Sequence, residues 1–113
     1  MSDHIKIHKA NAKWVVRAGG AILGESTEAL ELLEGDYKPV IYFPRADIAI
    51  AFLDESPHSS HCPHKGDARY YSIQTKSSLL ENAVWSYENP IEAVARIKGY
   101  LAFDPAQVTI EEL

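Results

Sequence analysis

The longest apolar run in this chain is Ile48 to Leu53, six residues. A membrane-spanning helix needs about 20, so no membrane partner is expected and the core must be assembled from many short elements. Most of these carry strand signatures. Ile5 and Ile7 alternate with polar neighbours, as a half-buried strand does. Trp14-Val15-Val16-Arg17 is aromatic and β-branched, and it runs through Gly19-Gly20 into Ala21-Ile22-Leu23. Two apolar runs joined by a glycine pair read as a hairpin, because glycine reaches the φ > 0 conformations of tight turns. Val40 to Phe43, bracketed by Pro39 and Pro44, is a third strand. Arg69 to Thr75 is a fourth, with Tyr71 and Ile73 on one face and Tyr70 and Ser72 on the other. Lys76-Ser77-Ser78 forms a turn, after which Leu79 to Glu81 and Val84 to Tyr87 are pairing segments. Tyr100 to Phe103 is a further short strand, and the alternation at Val108 and Ile110 predicts a closing one.

Helix signals are fewer. Asn89 suits an N-cap and Pro90 the first helical position, ahead of Ile91 to Lys98. Ile91, Val94, Ala95 and the stem of Lys98 then share one face, with Gly99 as a left-handed stop. A minor helix is predicted from Thr27 to Leu33, and Ala46 to Leu53 reads as a short helix although Ile48, Ile50 and Phe52 also alternate. The expected fold is mainly β: a compact antiparallel β domain with one or two short α-helices, spanning 1–113 as a single domain.

Composition agrees with a globular chain, at 46% hydrophobic and 24% charged residues. Sixteen acids against 11 bases give a net charge of −5, which opposes a phosphate backbone, so no nucleic-acid partner is expected. Glu25 to Asp36 holds five acids and no base, whereas the first 17 residues hold four bases against Asp3. Such runs are read as solvated faces of opposite sign. The only cysteine, Cys62, excludes an internal disulfide and suits a reducing cytoplasm. Met1 to Ala10 is polar and lacks the apolar segment of a signal peptide, so a cytoplasmic location is expected.

The chemically dense stretch is His58-Ser59-Ser60-His61-Cys62-Pro63-His64-Lys65-Gly66-Asp67-Ala68-Arg69-Tyr70. Pro63 and Gly66 argue against helix, and the stretch reads as a loop feeding the strand at Arg69. Three histidines and a thiol are zinc-ligand types, but adjacent ligands such as His61 and Cys62 converge poorly on one tetrahedron. No metal and no cofactor are therefore expected. A reactive thiol is a second reading, with Lys65 or a histidine lowering the Cys62 pKa, against the alternative of a buried, inert cysteine. A third reading is an anion held by Lys65, Arg69, Arg45 and the backbone N–H groups of the turn. Tyr42, Tyr70, Tyr71, Trp85 and Tyr87 all fall in predicted strands, with Trp85 and Tyr87 on one face, as packed core or as a cleft wall.

Tyr42-Phe43-Pro44-Arg45-Ala46-Asp47-Ile48, the Cys62 to Tyr70 run, Ala83 to Tyr87 and Ile97 to Phe103 together resemble the bacterial DUF427 family over nearly the whole chain. The family is a domain of unknown function, sometimes labelled nucleotidyltransferase-like. The resemblance implies a β-tent fold. The zinc knuckles that many β-tent domains carry do not transfer to a chain with one cysteine. The family motif falls on Tyr42, Arg45, Asp47, Cys62, Lys65, Gly66, Tyr70, Trp85 and Tyr87. The expectation is one cleft around the C-P-x-K-G loop that binds or transforms a small, anionic molecule. Cys62, Lys65 and Asp47 are its candidate catalytic residues, and Arg45, Tyr42, Tyr70, Trp85 and Tyr87 its ligand-binding ones. Whether the protein is an enzyme stays open, as does self-association into a homo-oligomer. The alternatives are a non-catalytic protein-interaction domain and a nucleotidyltransferase-like enzyme. The latter lacks a P-loop, and Asp47 is the one acid of the matched motifs at a strand-end position suited to a magnesium ion.

Overall fold

Ten strands form three antiparallel sheets in the computed structural model, which describes residues 4–113. Asp3, counted above in the basic N-terminal stretch, lies outside the described residues, as does the start of the polar Met1 to Ala10 segment. Strands β1 (Ile5–Lys9), β4 (Leu30–Glu34) and β5 (Val40–Tyr42) make one sheet in the order β1-β4-β5. Strands β2 (Trp14–Ala18), β3 (Ala21–Ser26) and β10 (Thr109–Glu112) make the second, in the order β10-β2-β3. The largest runs β6-β7-β8-β9, from Leu53–Cys62, Gly66–Gln74, Leu79–Ser86 and Ala102–Phe103. A two-way backbone bridge between Phe43 and Leu101, with N···O distances of 2.8 and 2.9 Å, ties the first sheet to the large one.

Alternation along the strands feeds two cores. Val16, Leu23, Ile41, Phe43, Ile73 and Phe103 meet in the first, with Tyr71 and Val84. Leu30, Leu32, Tyr42, Ala68, Tyr87 and Ala102 meet in the second, covered by Val94 and Ile97. Neighbours such as Tyr42 and Phe43, or Ala102 and Phe103, therefore point into different cores. The expected pairing of faces holds at this level: Tyr71 and Ile73 share the first core, whereas Trp85 and Tyr87 both join the second.

The fold is mainly antiparallel β, as the sequence predicts, but the helices differ. Residues 30–34 of the predicted Thr27 to Leu33 helix form β4, paired with β1 at Ile7↔Leu32 and with β5 at Leu30↔Tyr42. Ser26 Oγ accepts the Glu28 N–H at 2.9 Å, closing a turn two residues on instead of capping a helix. Ala46 to Leu53 resolves into 3-10 turns at Arg45–Asp47 and Ile50–Phe52 before β6 begins. Ile91 to Lys98 is not an α-helix. Glu92–Ile97 is 3-10 with a kink at Val94, and its buried residues, Val94 and Ile97, are three apart, matching the 3-10 period. Ile91 and Ala95, predicted on the apolar face, are exposed. Gly99 does take the left-handed conformation, at φ 76°.

The dense His58 to Tyr70 stretch is two strands and a tight turn. β6 and β7 pair from Ser59↔Arg69 to Cys62↔Gly66. Its exposed, polar edge strand has no apolar alternation to reveal it. The acidic run and the basic N-terminal segment, expected as solvated faces of opposite sign, are solvated and also pair with each other through Lys9–Glu28, Lys13–Glu25 and His8–Glu31, at 3.1, 2.9 and 2.7 Å. No helix among the described residues is long and apolar enough to cross a membrane.

Candidate functional site

The turn between β6 and β7 is fixed by its backbone. Lys65 N–H donates to Cys62 C=O at 3.0 Å, and Ile91 N–H donates to Lys65 C=O at 3.0 Å. Gly66 at φ 116° lies under Asn89 and Pro90, a conformation that side chains disfavour. The turn aims the Lys65 side chain inward, where it is only 11% exposed, and Nζ meets Glu34 Oε1 at 2.6 Å. Glu34 ends β4, so this ion pair joins the first sheet to the large one. Lys65 holds the Glu34 carboxyl below its usual range, chiefly through that hydrogen bond.

Beside the pair opens a cavity of about 550 Å³ walled by Tyr42, Tyr70, Trp85 and Tyr87. Tyr70 and Trp85, opposite each other in the β7–β8 register, come from the large sheet, Tyr87 from just past β8, and Tyr42 from β5 of the first sheet. Burial pushes the Tyr42 phenol up to about 12, against the pull of the neighbouring Trp85 indole. Burial also raises Tyr87, with Tyr42 adding to the effect. Both phenols therefore remain neutral hydrogen-bond donors at any physiological pH. Tyr70 OH and Ser60 Oγ are 3.0 Å apart, and the His58 ring stands edge-on to Tyr70. Tyr37 and Lys38, on the exposed turn between β4 and β5, form the rim.

Of the expected site residues, Tyr42, Lys65, Tyr70, Trp85 and Tyr87 line this cavity. Cys62 packs into the second core behind them, partly buried. Arg45 and Asp47 are not on its wall. After Tyr42 the chain leaves the sheet at Pro44, and the Arg45 guanidinium turns to a different group. Its Nε donates to Gly99 C=O at 3.2 Å, and Nη2 donates to Ser86 Oγ at 3.3 Å and Glu88 Oε2 at 3.2 Å. Tyr71 OH donates to the same Glu88 oxygen at 2.7 Å, and Arg69 Nη1 reaches the other at 3.4 Å. Burial first, then the Glu88 hydrogen bond, raises the Tyr71 phenol. Asp47 is exposed on its 3-10 turn and makes no ion pair with the described residues. The three candidate catalytic residues thus occupy three settings: Lys65 paired in the cavity, Cys62 behind its wall, Asp47 outside it.

The histidines also separate. His61 Nδ1 pairs with Asp67 at 2.7 Å, His64 lies edge-on to His4, and His58 packs on Tyr70. Among the described residues no group of three or more His, Cys, Asp or Glu side chains is placed to hold a metal ion.

Sequence reasoning missed Glu34, Tyr37 and Lys38 at the cavity and Glu88 as the hub of the arginine network. The signal for Glu34 was present: Leu30 and Leu32 alternate with Glu31, and a strand ending at Gly35 carries Glu34 to the sheet's end. Glu88 had none, since its partners come from residues 45, 69 and 71.

No curated protein matches the chain. The family described as "Domain of unknown function (DUF427)" matches residues 6–112. With nearly its full length covered, the chain belongs to the DUF427 family.

Proposed function

We propose that the protein binds a small molecule in the cavity between the Lys65 turn and the aromatic side chains of Tyr42, Tyr70, Trp85 and Tyr87. The observation that carries this reading is the convergence of Tyr42, Tyr70, Trp85 and Tyr87 with the Lys65–Glu34 pair on one 550 Å³ space. Aromatic walls with a few placed polar groups are the usual form of a ligand site. Lys65 is charge-compensated by Glu34, so it does not by itself dictate an anionic ligand. Scattered placement of Cys62, Lys65 and Asp47 favours binding over group transfer. A fragment screen by NMR tests the reading. Hits should shift backbone resonances of Lys65, Tyr70 and Trp85 together; hits that cluster elsewhere, or none at all, refute it.

A second reading, an interaction domain, draws on a different face. An apolar groove of about 540 Å³ lies between the Gly19-Gly20 turn, Leu23, Phe52 and Ile73, and the exposed side chains of Ile22, Ile50 and Phe52 are nearby in the chain. Phe52→Ser would lower the affinity of a partner bound there and leave fragment binding at Lys65 untouched.

A further inference from the structure

Every carboxylate oxygen facing the cavity already accepts one hydrogen bond. Glu34 Oε1 takes Lys65 Nζ at 2.6 Å and Oε2 faces His4 Nε2 at 3.4 Å. Asp104 Oδ1 takes the Ala106 N–H and Oδ2 the Gln107 amide, at 2.9 and 3.1 Å. Asn82 Oδ1 takes the Ser56 hydroxyl. The donors are not used up. Lys65 spends one of three ammonium hydrogens on Glu34, and Asn82 keeps its amide N–H₂ free. Lys38, on the rim, makes no ion pair with the described residues. Tyr87 is 6% exposed, lines the cavity, and its hydroxyl has no hydrogen-bond partner among the described residues. Its oxygen is not among the sealed, unpartnered polar atoms, so the hydroxyl opens to the cavity and can donate to an acceptor brought from outside.

We infer that the ligand is a planar ring bearing a carboxylate or comparable oxyanion, its oxygens accepting from Tyr87 and from the Lys38 and Lys65 ammoniums. This rests on the binding reading above and adds the ligand's chemical class. The ring is set by the wall: Tyr70 and Trp85 are half-buried aromatic side chains on it, and Tyr37, 77% exposed, stands at the rim. The oxyanion answers the donors of Lys38, Lys65 and Tyr87 that no described residue takes up. Glu34 and Asp104 also face the space and oppose an anion. Both are already hydrogen-bonded, and the two lysines balance them in charge. A cationic ring would instead meet two ammonium groups, with both carboxylates already hydrogen-bonded.

Benzoate, benzamide and benzamidinium share one planar shape and carry charges of −1, 0 and +1, so they separate the class from the pocket. Each is titrated into the protein and followed by ¹H–¹⁵N NMR at Lys65, Tyr87 and the Trp85 indole. Benzoate should bind at least tenfold more tightly than benzamidinium and several-fold more tightly than benzamide. Tyr87→Phe, which removes only the hydroxyl, and Lys38→Ala, on an exposed turn, should each weaken benzoate threefold or more while leaving the spectrum folded. If benzamide or benzamidinium binds as tightly as benzoate at these resonances, the oxyanion class is overturned and the pocket stands. The class also falls if benzoate binds but neither variant weakens it. If none of the three shifts these resonances, the pocket reading fails and the class with it.

Discussion

Lys65 is the residue on which the sheets and the cavity both depend. Its side chain and that of Glu34 are 11% and 16% exposed, so removing one charge leaves the other poorly solvated. Lys65→Met should lower stability at neutral pH by about 2 kcal/mol, measured by urea unfolding. The pH dependence supplies a second check. Glu34 has a folded pKa below the ordinary 4.5, so its contribution is complete above that value and is lost as pH falls through the lower, folded one. Wild type should therefore lose stability on acidification more steeply than Lys65→Met. The tyrosines act at the other end of the scale. Tyr42, Tyr71 and Tyr87 all have raised phenols, so their contributions are complete below about pH 10 and are lost as pH rises toward the folded values. Absorbance at 295 nm should show delayed ionisation of these three among the six tyrosines, and Tyr42→Phe should remove one late phenol.

At the scale of elements, the 3-10 turn at Arg45–Asp47 shows how one close approach decides a path. Its following residue, Ile48, bridges to Gly24 on β3, and Ala49 N–H donates to Leu23 C=O at 2.8 Å. A Cβ at Gly24 would collide with the Asp47 carbonyl and the Ile48 side chain, and the carbonyl is backbone that cannot swing aside. Gly24→Ala should cost about 1–3 kcal/mol in a urea titration, by forcing the turn off β3. Arg45 holds the same turn from the other side, linking it to residues 86, 88 and 99. Arg45→Lys keeps the charge but cannot reproduce a planar fork that serves Gly99 and Glu88 together. It should destabilise by about 1 kcal/mol, the figure being kept small because Arg45 is 37% exposed.

For the whole molecule, the four-stranded sheet is common to both cores, so neither can dissolve without exposing a face of the other. Trp14 packs on the first core and Trp85 on the second, which places one fluorophore on each side. Trp14→Phe and Trp85→Phe leave single-tryptophan proteins. Within each variant, fluorescence and far-ultraviolet circular dichroism should give the same urea midpoint. Midpoints that differ would show the two cores unfolding separately. Ile73→Ala and Ile97→Ala, at fully buried positions in opposite cores, should each cost about 2–5 kcal/mol through the cavity left behind.

Local pattern alone determined most strands of this protein. Alternation at Ile5–Ile7, the Gly19-Gly20 hairpin and the division of Tyr70 from Tyr71 are consequences of a two-residue period and of glycine's freedom, and they need no partner to be read. The aromatic wall was legible for the same reason, since Trp85 and Tyr87 stand two apart. Where two periods fit one stretch, local pattern could not choose. Ala29, Leu30, Leu32 and Leu33 suit a helical face, yet pairing of Leu30–Glu34 with β1 and β5 satisfies its backbone as a strand. Tertiary structure also decided which motif residues line one cavity. Tyr42 and Arg45 lie three apart in the chain, but the turn at Pro44 sends one to the cavity and the other to Glu88. Lys65 and Glu34 lie 31 apart and meet at 2.6 Å. Ion pairing and cavity shape depend on distances between sheets, and those distances are set only when both cores close.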